Sequence, residues 1–277
     1  MSDTGNRRSK TDTGDRRSTD LPRTDGSAPK PAIRLLHVED DDAFADLTAE
    51  YLSRVAPEIT HHSVTTVTDA RRRYERSPFD AVVCDHDLPD GTGIDFLEHV
   101  RSDDEEFPFI LFTGKGSEDI ASEAISAGVT DYLQKRGGSD QYEMLANRVR
   151  NAVDRHHLKR QVERGVTALE TATEPIGILN EDGTYLFVNQ AYADVYGLHP
   201  EDLRGVHFER LYPAEEVERF TDDVLPRLTR EGHWTGEATG RHADGTPIDE
   251  RLALTHTTSG GHVCVIRDVE YENGTDE

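Results

Sequence analysis

Short apolar runs alternate with amphipathic helical segments in the first part of the folded sequence. Runs typical of buried parallel strands lie at 32–38, 59–65, 80–84, 107–112 and 130–133. Helical periodicity occupies 42–54, 69–76, 94–101, 117–127 and a long stretch from 140 toward 165. Five strands that alternate with five helices predict an α/β domain with a doubly wound, five-stranded parallel sheet.

A different pattern begins near residue 175. Two short apolar runs flank a turn-forming segment at 180–184, which predicts a β-hairpin. Further strands are predicted at 236–241, 248–255 and 262–269, with helices at 191–196, 200–203 and 215–230. This second half therefore predicts an α+β domain with an antiparallel sheet.

The segments at the two ends of the first domain differ from it in composition and in apolar periodicity. Residues 1–31 are rich in Ser, Thr, Asp, Arg, Gly and Pro, which predicts a disordered tail because too little apolar surface is available for burial. Residues 140–170 form a predicted connecting helix. Its apolar positions recur at threes and fours, but their register slips at 156–159. Two interpretations of this segment remain open. It could be a helical spacer, or a coiled coil that joins two copies of the chain in a homodimer.

Composition adds a strong negative charge to this picture. The chain of 277 residues carries 55 acidic and 31 basic residues, for a net charge of -24. Such a surface repels nucleic-acid phosphates, so we expect no direct nucleic-acid binding. The acidic, lysine-poor body resembles proteins of extreme halophiles. Because no apolar run approaches about 18 residues and no signal peptide is present, we expect a cytoplasmic protein without membrane insertion.

Chemically reactive side chains stand at the ends of the predicted parallel strands. Glu39 and Asp40 follow the first strand, Asp85 follows the third, Thr113 follows the fourth and Lys135 follows the fifth. In a doubly wound sheet, ligands bind beyond the carboxyl ends of the strands. Carboxylates converging there would repel one another unless a hard cation such as Mg²⁺ joined them. A hydroxyl and an ammonium opposite them could hold phosphoryl oxygens, which would make Asp85 an aspartyl-phosphate nucleophile.

The same residues carry a family resemblance. Residues 32–155 resemble the response-regulator receiver family at Val38-Glu39-Asp40, Asp85-His86-Asp87-Leu88-Pro89, Thr113-Gly114 and Asp131-Tyr132-Leu133-Gln134-Lys135. The resemblance implies a flavodoxin-like fold in which Asp85 accepts a phosphoryl group from the phosphohistidine of a sensor histidine kinase. It also implies a Mg²⁺ site formed by Asp40 directly, Glu39 through water, Asp85 and the carbonyl of Asp87.

The resemblance assigns further roles around the phosphoacceptor. Thr113 would donate a hydrogen bond to the phosphoryl group, Lys135 would pair with it, and Tyr132 would be the aromatic switch that changes rotamer on activation. Two residues depart from the family pattern. Gly114 stands where Ala is commoner, and Arg136 replaces the usual proline, which puts the local peptide geometry at Lys135 in doubt.

Residues 166–270 resemble the PAS family, so the chain as a whole resembles receiver–PAS proteins of halophilic archaea. The resemblance implies that Asn189 caps a helix and that Trp234 lies in the core. It does not give a ligand, because PAS domains bind haem, flavin, organic acids or nothing on one fold. The segment 205–211 has no cysteine for a flavin–thiol site. Its His207 fits a capping role better than haem ligation, and Cys264 fits a buried apolar position.

These features predict a non-enzymatic two-component response regulator whose PAS domain senses a signal or binds a partner. We expect a histidine kinase upstream and a protein partner downstream, since no ATP-binding segment, phosphoacceptor helix or helix-turn-helix is recognisable. Two alternatives stay open. The protein could be an interaction scaffold that is never phosphorylated. Asp85 and Asp87 are also similar to the paired aspartates of haloacid-dehalogenase-like phosphatases, although Leu88 and Pro89 stand where that family has Gly-Thr.

Overall fold

A computed structural model of the chain describes residues 32–114 and 118–271. The predicted disordered tail at 1–31 lies outside the described residues. The chain divides into two compact units, Met1–Val153 and Asp154–Glu277. The domain limits of 32–155 and 166–270 stay predictions, as does the connecting role of the helix at 140–170. None of the helices among the described residues combines the length and the apolar character needed to cross a membrane.

The first unit alternates strands and helices. Its elements are β1 (Ile33–Val38), α1 (Asp42–Val55), β2 (Ile59–Val64), α2 (Val67–Arg76), β3 (Ala81–Cys84), β4 (Asp87–Leu88), β5 (Gly91–Thr92), α3 (Gly93–Asp103), β6 (Phe109–Thr113), α4 (Glu118–Ser126) and β7 (Asp131–Gln134). The long helix α5 (Asp140–Glu170) begins in this unit and continues past Val153 into the second. Five of the strands form a parallel sheet in the order β2-β1-β3-β6-β7. The predicted doubly wound sheet is confirmed, and its order reverses between β1 and β3.

Sequence signals explain why these elements begin where they do. Asp41 caps α1 by accepting backbone hydrogen bonds from Ala43 and Phe44. Thr92 and Asp95 form a reciprocal capping box at the start of α3. The central strands are apolar throughout because helices cover both faces of the sheet, with Leu35 and Val83 in the core on one face and Leu36 and Val82 in the core on the other.

The second unit is built around an antiparallel sheet. Its elements are β8 (Ile176–Leu179), β9 (Tyr185–Val188), α6 (Gln190–Val195), α7 (Pro200–Leu203), a 3-10 helix (Phe208–Leu211), α8 (Ala214–Arg219), a π-helical turn (Phe220–Val224), α9 (Leu225–Glu231), β10 (His233–Arg241), β11 (Pro247–His256) and β12 (His262–Tyr271). The strand order is β10-β11-β12-β8-β9. The predicted α+β class is confirmed.

One helix of the second unit differs from its prediction. The expected continuous helix at 215–230 is divided by the π-helical turn into α8 and α9. Pro226 lies at the start of α9 and has no backbone N–H to donate, so a regular hydrogen-bond ladder cannot run through this point. The wider turn still leaves Phe220, Val224 and Leu228 buried in the core.

Two predicted structural roles in the second unit are confirmed. Asn189 caps α6, since its side-chain oxygen accepts the backbone N–H of Tyr192 at 3.0 Å. The same oxygen accepts the N–H of Ile176 at 2.9 Å, so one side chain holds both the helix start and the beginning of β8. Trp234 is buried in the core, with its ring 6.3 Å from that of Phe220.

Candidate functional site

The candidate site lies at the edge where the parallel strands of the first unit end. Glu39 and Asp40 follow β1, Asp85 follows β3, Thr113 is the last residue of β6 and Lys135 follows β7. Because parallel strands point their carboxyl ends to the same edge, the sheet order brings these residues to one place. The structure thus brings together Glu39, Asp85 and Lys135, which are up to 96 residues apart in sequence.

Backbone contacts hold this edge in position. The N–H of Asp85 donates to the carbonyl of Val38 at 2.9 Å, and the N–H of Lys135 donates to the carbonyl of Thr113 at 2.8 Å. Gly93 packs so closely beneath Asp85 that a Cβ at this position would collide with the Asp85 carbonyl oxygen. The loop after β3 is therefore fixed by a close approach that glycine alone permits.

Lys135 lies between two carboxylates. Its Nζ is 2.6 Å from Oε2 of Glu39 and 2.5 Å from Oδ2 of Asp85. Its side chain is 15% exposed, and the ammonium also lies 4.5 Å from the centre of the Phe44 ring. One largely desolvated cation is therefore shared by two acidic side chains.

Burial and charge act in opposite directions on this cluster. Burial raises the pKa of Glu39, the Lys135 hydrogen bond lowers it, and the neighbouring Asp85 raises it again, with a net upward shift. Burial alone would lower the pKa of Lys135, but its hydrogen bonds to Asp85 and Glu39 outweigh burial and raise it. The lysine is therefore held in its charged form, ready to bind added negative charge.

The acidic side chains could also hold a metal ion. Carboxylate oxygens of Glu39, Asp40 and Asp85 lie within 4.8 Å of one another. Oxygen donors of this kind fit Mg²⁺, and the exposure of Asp40 leaves room for the waters that this ion retains. Asp87 lies in the small hairpin formed by β4 and β5, and its Oδ1 is 3.0 Å from Nδ1 of His86. The role of the Asp87 carbonyl stays a prediction.

The predicted switch residues lie on neighbouring strands. Thr113 is buried at the end of β6, and Tyr132 is half-buried in β7, opposite Leu111. Tyr132 packs against the core cluster that contains Leu111 and Ala124. A movement of this ring remains a prediction.

The second unit contains a small apolar cavity of about 40 Å³ between its sheet and helices. Its lining includes Tyr185, Phe208, Leu252, His262 and Cys264. Pockets for drug-sized ligands commonly measure about 300–1,000 Å³, so the volume of this cavity is too small for a flavin or a haem. His207 caps the 3-10 helix, with Nε2 2.6 Å from the carbonyl of Asp182.

Sequence reasoning missed a buried carboxyl group in the second unit. Glu250 is 2% exposed, and its Oε2 accepts a hydrogen bond from the hydroxyl of Tyr196 at 2.7 Å. Burial raises its pKa to about 7, while hydrogen bonds from Tyr212 and Tyr196 act in the opposite direction. A signal was present, because Glu250 is in phase with the buried Ile248 and Leu252 on the same strand.

Comparisons with known proteins find a different family in each half of the chain. The family model for the response regulator receiver domain matches residues 35–147, and a model for the PAS fold matches residues 169–269. The chain is 38% identical over 114 residues to the methanogenesis regulatory protein FilR1 of Methanothrix harundinacea, covering 40% of this chain and 25% of that protein. It is 28% identical over 257 residues to the bacterioopsin transcriptional activator of Halobacterium salinarum, covering 76% of this chain and 38% of that protein.

A solved structure is also similar to part of the chain. The receiver domain of a LuxO repressor protein from Vibrio parahaemolyticus is 31% identical, with a TM-score of 0.43, and the match covers 47% of this chain and 97% of that one. The chain spans 25% of the length of FilR1 and 38% of the length of the bacterioopsin activator.

Proposed function

Because the chain carries a response regulator receiver domain followed by a PAS fold, we propose that it accepts a phosphoryl group on Asp85 from a histidine kinase and couples this event to its PAS domain. The position of Lys135 carries the proposal. Its ammonium lies within 2.6 Å of both Glu39 and Asp85, beyond the carboxyl edge of the sheet and next to the end of the strand that carries Thr113. A phosphoryl group on Asp85 would meet a cation and a hydroxyl there.

The transfer exchanges one bond to phosphorus for another. A carboxylate oxygen of Asp85 attacks the phosphorus of the kinase phosphohistidine, and the P–N bond breaks. The electron pair stays with the imidazole, which takes up a proton. Lys135 and Thr113 hold the oxygens of the transferred group. Mg²⁺ held by Asp40, Asp85 and the Asp87 carbonyl, with Glu39 binding through water, would neutralise the negative charge.

The phosphoryl group carries nearly two negative charges at neutral pH and replaces the single charge of the Asp85 carboxylate, so the site gains about one negative charge and three acceptor oxygens. Lys135 would then exchange part of its contact with Glu39 for the phosphoryl oxygens. A hydrogen bond that draws the Thr113 hydroxyl inward would leave space for Tyr132, which supplies a two-state switch. About 5.5 kcal/mol of preference would move this switch from 1:99 to 99:1, which a few charge-assisted contacts can provide.

We propose that the output passes through a protein partner. The name transcriptional activator belongs to the relative from Halobacterium salinarum, of which the chain covers 38%. The net charge of -24 disfavours direct contact with DNA. The PAS domain would serve as the sensing or interaction module, with a cavity that suits a very small ligand or none.

Intact mass spectrometry of the full chain tests the proposal. Incubation with acetyl phosphate and Mg²⁺ should add the mass of one phosphoryl group, in a form that is lost in base. Asp85→Asn should remain unmodified. Asp87→Asn is the matched control, because it removes a neighbouring exposed carboxylate but keeps the backbone carbonyl, so it should still be modified. Equal modification of wild type and Asp85→Asn would refute the proposal, and no adduct on either protein would favour the scaffold account.

A further inference from the structure

A pair of histidines faces across the last hairpin of the second unit. His256 ends β11, His262 begins β12, and the two are direct partners in the antiparallel register. The connecting turn is tight, with Gly260 and Gly261 at φ of 84° and 78° and the N–H of Thr257 donating to the carbonyl of Gly261 at 3.1 Å. Glycine permits these left-handed conformations, so the two imidazoles are held by a defined turn.

The distance between the two rings fits a shared metal ion. Nδ1 of His256 is 3.4 Å from Nδ1 of His262, and the ring centres are 5.3 Å apart. In a tetrahedral zinc site, each Zn–N bond is about 2.0–2.1 Å, so two ligand nitrogens are separated by about 3.3–3.4 Å. The two nitrogens form a hydrogen bond in the absence of an ion, and both would offer a lone pair to a shared ion once each ring carries its proton on Nε2.

The surroundings of the pair favour a cation. The Glu181 carboxylate lies against the same turn, since a Cβ at Gly260 would collide with it. Burial lowers the pKa of His262, His256 lowers it further, and Glu181 acts in the opposite direction. Neutral imidazole nitrogens are the form that binds metals.

We propose that His256 and His262 form a binding site for a borderline transition-metal ion such as Zn²⁺. Water would occupy the remaining coordination positions, and Glu181 could become a further ligand only after a side-chain rotation that brings its carboxylate to the ion. Imidazole nitrogens suit Zn²⁺, Cu²⁺ and Ni²⁺ and discriminate against Mg²⁺. His262 also lines the apolar cavity, so an ion bound here would stabilise the hairpin at one wall of that cavity. The site lies in the second unit, whereas the carboxylates around Asp85 lie in the first, and it does not depend on phosphorylation of Asp85.

Calorimetric titration of the full chain with Zn²⁺ tests this site. Excess Mg²⁺ keeps the oxygen ligands around Asp85 occupied. One equivalent of Zn²⁺ should bind to the wild type, and His256→Gln and His262→Gln should each weaken it at least tenfold. The matched control is His156→Gln with His157→Gln, which removes two adjacent histidines of α5 and should leave the titration unchanged.

Two further measurements keep the test decisive. Co²⁺ in place of Zn²⁺ should give the visible absorption of a four-coordinate site in the wild type and lose it in His256→Gln. Zn²⁺ should also raise the unfolding midpoint followed by the fluorescence of Trp234, the single tryptophan of the chain. His256 is partly exposed, so its variant decides the question if His262→Gln does not fold. Unchanged Zn²⁺ affinity in His256→Gln would overturn the proposal and leave the pair as a cross-strand contact only.

Discussion

Among the residues that the structure describes, each unit buries one glutamate, and the two are stabilised in different ways. Glu39 of the receiver unit is 1% exposed and Glu250 of the PAS unit is 2% exposed. Glu39 has the ammonium of Lys135 at 2.6 Å. Glu250 has phenol hydroxyls instead, with Tyr196 at 2.7 Å, and among the described residues its Oε1 has no hydrogen-bond partner.

The different partners suggest different roles for the two groups. Glu39 belongs to a site whose charge can change, whereas Glu250 is a structural carboxyl group. The lysine beside Glu39 compensates a charge at an edge that solvent, a cation or a phosphoryl group can reach. Glu250 has no such compensation in its immediate contacts, and burial raises its pKa to about 7. Buried charge is costly unless it is paired. The receiver glutamate is therefore suited to exchange partners, whereas the PAS glutamate stays protonated only below about pH 7.

Replacement of Lys135 should have the largest effect on the stability of the receiver unit. Lys135→Met leaves Glu39 buried beside Asp85 without an opposite charge, and we expect the free energy of unfolding to fall by about 3 kcal/mol at pH 8. The pKa of Lys135 is raised in the folded state, so its stabilisation is complete below its ordinary value of 10.5 and is lost only above it. Hydrogen exchange of amides in β1 and β6 should report the loss across pH 6–9.

Two variants distinguish charge from packing at this position. Lys159→Met removes a lysine of α5 whose side chain is 50% exposed, and it should change stability by less than about 0.5 kcal/mol. Glu39→Gln combined with Lys135→Met should recover most of the loss. Persistent destabilisation in that double variant would show that lost packing, and not an unpaired charge, dominates.

Substitution of Glu250 should stabilise the PAS unit, and by less than Lys135→Met destabilises the receiver unit. A folded-state pKa of about 7, against an ordinary 4.5, costs roughly 3 kcal/mol in the ionised state. Since the folded value is raised, stability should be highest below pH 4.5, fall as the pH rises toward 7, and then level off. Glu250→Gln should remove this dependence and stabilise the PAS unit by about 2 kcal/mol at pH 8, because the buried amide still needs a partner.

Denaturant unfolding followed by Trp234 fluorescence measures this effect in the PAS unit alone. Glu237→Gln is the matched control, since Glu237 is an exposed carboxylate on the neighbouring strand and its removal should leave the pH dependence intact. A wild-type protein whose stability is constant from pH 4.5 to 8 would contradict the assignment of Glu250 as a carboxyl group protonated by burial.

The sequence was informative where local pattern and strand ends determine the structure. The apolar runs that became β1, β3, β6 and β7 predicted the sheet, and the sheet places Asp85 and Lys135 at one edge. Local pattern could not predict the π-helical turn at Phe220–Val224, because it depends on how Pro226 interrupts a helix that periodicity alone extends.

Pairings between strands were the second limit of sequence reasoning. The His256–His262 contact depends on the register of β11 and β12, which a single sequence does not specify. Glu250 was overlooked because an acidic residue was assigned to the surface although it alternates in phase with Ile248, Leu252 and Leu254. Alternation outweighs residue type when a strand lies over a core with hydroxyl groups to receive a polar side chain.

The smallest predicted effect is the stabilisation by Mg²⁺ of the unit that contains Glu39 but not of the unit that contains Glu250. The carboxylates around Glu39 include the exposed Asp40, which an ion can reach, whereas the Glu250 side chain is buried. At ten times its dissociation constant, Mg²⁺ should stabilise the receiver unit by about 1.4 kcal/mol. The Trp234 transition of the PAS unit should not move. Asp40→Asn should abolish the receiver shift in hydrogen exchange. Asp42→Asn, which removes an exposed carboxylate two residues away, should retain it. Equal stabilisation of wild type and Asp40→Asn would place the ion elsewhere.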